Sequence, residues 1–241
     1  VAIMILVNSG VDFVITIIDK KGLPLNLGGQ KITVFYFIIN KWTTLLSIIF
    51  GVNCIHSDFE SDVIPQLLSL PLRRIEYLGA RILGSSIIVS LYYILSLLIA
   101  ILVFYTTSKG YQLEFSAVFA LIPTIGVIFS VILISVLFSF FFNKIFGFIC
   151  ALLTCIIINI SNSSLSMLDF GELFKNLGLI KIVGVISHLG FPRIGNLHSI
   201  TNNIIAGNKE ELSFIFESSH FVFSCSLLFL LIHFIFKKRE V

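Results

Sequence analysis

The chain has 241 residues, of which 57% are hydrophobic and 12% are charged, and its formal net charge is +3. Soluble domains carry about 25% charged residues, so this composition excludes a protein that covers itself with a water-compatible surface. It predicts a polytopic membrane protein. A net charge this small, without a basic stretch interleaved with aromatic residues, argues against a nucleic-acid partner.

Six apolar stretches approach the roughly 20 residues that a membrane-spanning helix needs. In chain order they are 1–18, 32–55, 82–105, 115–142, 145–160 and 214–236. Polar residues interrupt the first stretch, which could instead end near Val7 and continue as an amphipathic outer segment. The sequence therefore predicts an all-α membrane protein of about six spans, forming one domain over residues 1–241. Because apolar sequence begins directly at Val1, we expect the N-terminus to be truncated.

Two connections between the spans have a distinct character. A very tight turn at 143–144 joins the fourth span to the fifth. Residues 161–213 are long and only half polar, and their apolar centre, 177–191, is too short and too interrupted by glycine to cross a bilayer. We expect this centre to form a re-entrant or interfacial helix pair on the outer side, ended by Pro192.

Basic residues favour the cytoplasmic side of a membrane protein. The two sides of this chain carry nearly equal numbers of them, but on one side they are packed against the ends of the predicted spans. Those residues are Arg73, Arg74, Arg81, Lys144, Lys237, Lys238 and Arg239. We therefore assign this side to the cytoplasm.

The segment between the second and third spans is amphipathic. Phe59, Val63 and Leu67 recur every four residues with polar residues between them, which predicts a short helix lying along the membrane surface. An arginine at the bilayer centre costs about 2.5–3.5 kcal/mol, so the arginines that follow this helix belong at the head of the third span, within reach of lipid phosphates. The residues alone leave open a solvated connector whose arginines only fix the topology.

The run LLSLPLRRIEYLGAR, residues 67–81, resembles the cytoplasmic loop of ABC type 2 exporter permeases. That loop typically has an acidic residue, a Gly-Thr pair, Leu-Leu-Ser-x-Pro, a basic residue and later Gly-x-Lys. The matching residues are Leu67, Leu68, Ser69, Pro71, Arg74, Gly79 and Arg81, with Glu60 or Asp58 as the acidic element. The sequence departs from the pattern where Val63 and Ile64 replace the Gly-Thr pair. The six spans, the tight turn, the long outer loop and the short basic tail also fit that family.

The resemblance implies that the amphipathic segment is a cytoplasmic coupling helix that docks on a dimer of separate ABC ATPase subunits. The contacts it implies are Glu60, Gln66, Ser69, Pro71, Arg73 and Arg74. The chain has no G-x-x-x-x-G-K-[ST] phosphate loop, so we expect it not to be an enzyme and to hold no cofactor, with ATP and Mg²⁺ on the partner. The resemblance further implies a second permease chain, identical or related, in a bacterial plasma membrane.

The expected substrate is amphipathic or hydrophobic, such as a peptide antibiotic or a drug, since the predicted walls of the path are Phe, Ile and Ser. Lys41, Glu217 and His220 are candidates for the path because ionisable residues inside spans often mark one. Lys41 could instead reach an interface near Trp42, and Glu217 and His220 could pair structurally. No metal ligation is expected from the histidines. A non-transport membrane scaffold or assembly protein is the alternative function.

Overall fold

The computed structural model describes residues 27–61, 73–107, 119–165, 179–206 and 214–238. These ranges form seven α-helices and contain no strand. The helices are α1 (Leu27–Glu60), α2 (Arg74–Thr107), α3 (Leu121–Ser139), α4 (Lys144–Leu165), α5 (Leu179–Gly190), α6 (Ile194–Ala206) and α7 (Phe214–Lys238). The predicted first span and the segment 62–72 lie outside the described residues.

Five of these helices are long and apolar enough to cross a membrane. Their candidate spans are Tyr36–Asp58, Arg74–Leu102, Leu121–Ser139, Lys144–Leu165 and Ile215–Lys238. They correspond to the second through sixth spans expected from hydropathy, so the prediction of an all-α polytopic protein is confirmed. The first span stays a prediction.

Several helices begin or end at residues other than the bounds of the apolar stretches in the sequence. A helix can extend beyond its apolar stretch where its residues pack against other helices. α2 begins at Arg74 rather than Ile82, since Tyr77 and Leu78 in its first turns are buried. α4 continues past 160 to Leu165, which is also buried. α3 ends at Ser139, because the chain then turns sharply to reach Lys144 at the start of α4.

α3 is the central helix of the bundle. It contacts α1, α2, α4, α6 and α7, and its segment 131–136 is completely or almost completely buried. A helix that is apolar on all sides is suited to such a position. The outward-facing sides of the surrounding helices carry exposed apolar residues, Leu91, Leu95 and Leu98 of α2 among them, which lipid tails can cover.

α1 and α3 approach each other closely at Gly51. A Cβ atom placed there would lie 2.6 Å from the Cβ of Ser135 and 3.0 Å from the carbonyl oxygen of Ile132. The third neighbour is the Cα of Ile132, at 3.1 Å. This atom and the Ile132 carbonyl oxygen belong to the α3 backbone, which cannot move aside locally. The two helices can therefore pack at this distance only while residue 51 has no side chain.

Replacing Gly51 with alanine should separate α1 from α3. Overpacking of this kind costs about 1–3 kcal/mol, so we expect G51A to have a lower melting temperature in detergent than the unmodified chain. Gly84 is the matched control, because nothing lies within 4 Å of a Cβ placed there. G84A should be as stable as the parent or slightly more stable. Equal behaviour of the two variants would contradict this packing.

Candidate functional site

Four helix ends meet at one end of the bundle. Arg74 at the start of α2 donates a hydrogen bond from Nη1 to the carbonyl oxygen of Lys237, near the end of α7, at 3.1 Å. Glu60 at the end of α1 forms an ion pair with Lys144 at the start of α4. The structure thus brings together most of the basic residues that the sequence assigned to one side. We call this end, formed by Arg73, Arg74, Arg81, Lys144, Lys237 and Lys238, the basic end.

A buried carboxylate ties α1 to α2 at the basic end. Asp58 accepts hydrogen bonds from the hydroxyl of Tyr77 through one oxygen and from Nη2 of Arg81 through the other. Asp58 and Tyr77 are buried, whereas the Arg81 side chain is partly exposed. We call these three residues the α1–α2 clamp. They lie on either side of the 62–72 segment in sequence and hold its two flanking helices together.

The local sequence explains why α2 can supply two partners to one carboxylate. Tyr77 and Arg81 are four residues apart on a continuous helix, so their side chains lie on one face. A charge-assisted hydrogen bond from a guanidinium is stronger than one between neutral groups, and burial of Asp58 requires both of its oxygens to be satisfied. Sequence reasoning named Asp58 only as an alternative to Glu60 and missed Tyr77, although the spacing to Arg81 was visible.

The neighbouring pair of Glu60 and Lys144 is more exposed, with 53% and 40% of the two side chains accessible. The hydrogen bond from Lys144 lowers the pKa of Glu60, so Glu60 remains a carboxylate at neutral pH. Exposed ion pairs contribute little stability. Glu60 is therefore accessible to a partner protein, while both oxygens of Asp58 are already hydrogen-bonded within the clamp.

The predicted coupling contacts are only partly within the described residues. Gln66, Ser69 and Pro71 lie outside them. Arg73 is highly exposed, and its backbone N–H donates to Oε2 of Glu76 at 3.3 Å, which helps to cap the start of α2. Arg74 is half-buried against the end of α7. Glu60, Arg73 and Arg74 thus lie at the same end of the bundle, and their role in coupling stays a prediction.

At the opposite end, the short helices α5 and α6 follow one another, with α5 packed on α4 and α6 packed on α3 and α4; we call this pair of helices the hairpin. The expected helix pair within 177–191 is wrong in its bounds: α5 occupies that stretch, and the second helix follows Pro192. The helix is interrupted at Pro192, because proline has no N–H to continue the backbone hydrogen bonds of α5. The N–H of Ile194 bonds to the Pro192 carbonyl and that of Leu197 to the Arg193 carbonyl, which starts α6. Each helix is too short to span a bilayer.

A buried ion pair attaches this hairpin to α7. Arg193 donates from Nη1 to Oε1 of Glu217 at 3.1 Å, and Asn196 donates from Nδ2 to the same oxygen at 3.0 Å. Only 10% of the Arg193 side chain and 4% of the Glu217 side chain are exposed. The other carboxylate oxygen of Glu217 is buried without a hydrogen-bond partner among the described residues. We call Arg193, Asn196 and Glu217 the hairpin lock.

The two histidines near the lock connect the hairpin to its neighbours. Nε2 of His220 lies 3.2 Å from the carbonyl oxygen of Leu189, and Nδ1 of His188 lies 3.0 Å from Oδ1 of Asn162 on α4. Glu217 and His220 therefore hydrogen-bond different parts of the hairpin rather than each other. The sequence did not single out Arg193 as a site residue; its position directly after Pro192 in a half-apolar loop was the available signal.

The three candidate path residues do not form one site. Lys41 is exposed on α1, with its Nζ 5.1 Å from the centre of the Phe37 ring. It lines a cleft that neither Glu217 nor His220 lines. Within the described ranges, no group of three or more His, Cys, Asp or Glu residues could hold a metal ion. The arrangement is suited to holding helices together at both ends rather than to bond-making chemistry.

The clamp should contribute measurably to stability. Replacing Asp58 with alanine leaves the Tyr77 hydroxyl and the Arg81 guanidinium without their acceptor, so we expect a loss of about 1–3 kcal/mol and a lower melting temperature. The D58A/R81M double variant should lose less than the sum of the single losses, because the partners act as a pair. Glu60→Gln, which affects the exposed pair, should leave the melting temperature nearly unchanged. Additive losses would contradict a clamp.

Removing one partner of the hairpin lock should be more damaging than removing both. We expect R193M to lower stability by about 3–5 kcal/mol, since it leaves the Glu217 carboxylate buried and uncompensated, whereas R193M/E217Q should recover part of that loss. Limited proteolysis near the hairpin, followed by mass spectrometry, provides a local measurement beside the melting temperature. Glu76→Gln at the basic end is the control, and it should leave hairpin proteolysis unchanged.

Comparison with known proteins adds to this geometry. A family model described as "ABC-2 family transporter protein" matches residues 11–188, a range that includes the α1–α2 clamp and most of α5. No match was found among curated proteins or among solved structures. The match confirms the resemblance carried by residues 67–81. The chain belongs to the ABC-2 transporter family and is a multi-pass permease component of an ABC transporter.

Proposed function

We propose that this permease is driven by ATP hydrolysis on a separate ABC ATPase and exports an amphipathic or hydrophobic substrate across a bacterial plasma membrane. The observation that carries the proposal is the α1–α2 clamp. It joins the two helices on either side of the segment that resembles a coupling helix. ATP and Mg²⁺ would be held by the partner subunits, and two permease chains would enclose the path.

The clamp supports coupling because it makes two helices respond together. A force applied by an ATPase to the residues between Glu60 and Arg73 reaches α1 and α2 at the same time, since Asp58 is bonded to both Tyr77 and Arg81. α1 in turn packs on α3 without an intervening side chain at Gly51. Close-packed helices transmit displacement rather than absorbing it. Movement at the basic end can therefore reach the centre of the bundle.

The same proposal includes a substrate path in which Lys41, Glu217 and His220 contact the substrate. Lys41 is accessible in the structure as it stands. Glu217 and His220 are held against the hairpin and would contact a substrate only after the hairpin moves away from α7. A peptide antibiotic or a drug fits the apolar character of the exposed helix faces. The hairpin would then act as the outer gate of the path.

Affinity purification tests the ATPase partnership. The full chain, tagged and expressed in its native host, should copurify with a subunit that contains a phosphate-binding loop, and ATP hydrolysis in the complex should exceed that of the isolated ATPase. A scaffold would copurify with other membrane proteins and would not change ATP hydrolysis. Absence of any ATPase from the purified complex would contradict the proposal.

Arg73 and Arg74 should be needed for coupling. Replacing both with alanine removes two charge-assisted contacts worth about 1.5 kcal/mol each, so we expect the affinity for the ATPase to fall at least about tenfold and its stimulation to be lost. Lys238→Gln is the control, because it removes a cation from the basic end outside the α1–α2 connection. Unchanged stimulation by a correctly folded R73A/R74A chain would count against these contacts.

A further inference from the structure

An amphipathic cleft lies between α1, α4 and α6. Its volume is about 240 Å³. Lys41, Asn159 and His198 supply polar groups to its lining, and Ile48, Leu152 and Ile156 supply apolar ones. The clamp and the hairpin lock do not contribute to this cleft.

The polar and apolar groups are separated along the membrane normal. The ion pair between Glu60 and Lys144 places the end of α1 beside the start of α4, so the two helices run in opposite directions. Lys41 and Asn159 therefore lie toward the end away from the basic end, and Ile48 and Leu152 lie deeper. At 1.5 Å per residue, Lys41 and Ile48 are roughly 10 Å apart along α1.

Lys41 lies near one end of its span. It follows Tyr36, where the candidate span begins, by roughly 8 Å of helix, a distance over which a lysine side chain can extend its ammonium group toward the headgroups. The adjacent Trp42 is 61% exposed, and tryptophan side chains concentrate at the boundary between headgroups and acyl chains. The mouth of the cleft is therefore at the interface, and its apolar part extends into the hydrocarbon region.

The charge at the mouth is not neutralised by the described residues. No described carboxylate forms an ion pair with Lys41, and its ammonium group lies over the ring of Phe37. A basic side chain at the interface attracts anionic headgroups. A cation above an apolar channel thus matches a molecule with an anionic head and a hydrocarbon tail.

We propose that this cleft binds an acidic phospholipid, with the phosphate on Lys41 and part of one acyl chain along Leu152 and Ile156. Asn159 and His198 lie beside the mouth, where they can hydrogen-bond the headgroup. Such a lipid would fill the groove between α1 and α4. The site does not depend on the ATPase partnership, so either proposal can fail without the other.

Binding of phosphatidylglycerol and phosphatidylcholine to the purified full chain tests the site by native mass spectrometry. The unmodified chain should prefer phosphatidylglycerol about fivefold, and Lys41→Gln should abolish that preference. Lys238→Gln is the matched control, because its Nζ lies over the Phe234 ring at 4.6 Å and it is outside the cleft. It should retain the preference. Equal binding of both lipids by the unmodified chain would overturn the proposal.

Three further measurements separate the lipid from other occupants. Ile156→Trp fills the apolar part without changing charge, so it should weaken binding of long-chain phosphatidylglycerol; undiminished binding would refute the placement of the acyl chain. Soluble glycerol phosphate should compete poorly, and effective competition would indicate an anion site alone. If binding disappears as the chain dimerises, the cleft is an interface between copies and the lipid site is wrong. Gel filtration and melting temperature verify that each variant is folded.

Discussion

A bilayer supplies no water to solvate a buried charge, so each ionised group inside this protein has to find its partner on another part of the chain. This constraint separates the bundle into zones. The middle of α3 is apolar and fully buried, while the buried ion pairs lie toward the ends. Asp58 forms an ion pair with Arg81 at the basic end, and Arg193 forms one with Glu217 at the opposite end. The fold is thus an apolar centre held by polar contacts at both ends.

The two polar zones differ in what they hold. The α1–α2 clamp joins two long spans next to the surface that a soluble partner would approach. The hairpin lock joins a pair of short helices to α7, and one oxygen of Glu217 lacks a partner among the described residues. A partly satisfied buried carboxylate is costly. The unsatisfied oxygen therefore offsets part of the free energy that the Arg193–Glu217 pair contributes, whereas both oxygens of Asp58 are bonded in the clamp.

Hydropathy was sufficient to predict the helical class and five of the spans, because length and apolar content alone decide whether a helix can cross a bilayer. The partners of the charges were not predictable in the same way. Asp58 and Arg81 are 23 residues apart, and Arg193 and Glu217 are 24 apart, so only tertiary packing brings them together. The division of the segment after α4 into α5 and α6 was only partly predictable. Pro192 indicated where the first helix ends, but the second helix was not predicted because α6 has a weaker apolar pattern.

The order of residues in the hairpin lock also bears on how the protein is made. Chains are synthesised from the N-terminus, and domains begin to assemble before synthesis ends. Arg193 therefore leaves the ribosome before Glu217, and until the two pair an arginine buried among the helices is costly. The hairpin can settle only when α7 arrives with the matching carboxylate. α7 thus completes the contacts of α5 and α6, and a chain truncated before α7 would leave these two helices without the Glu217 anchor.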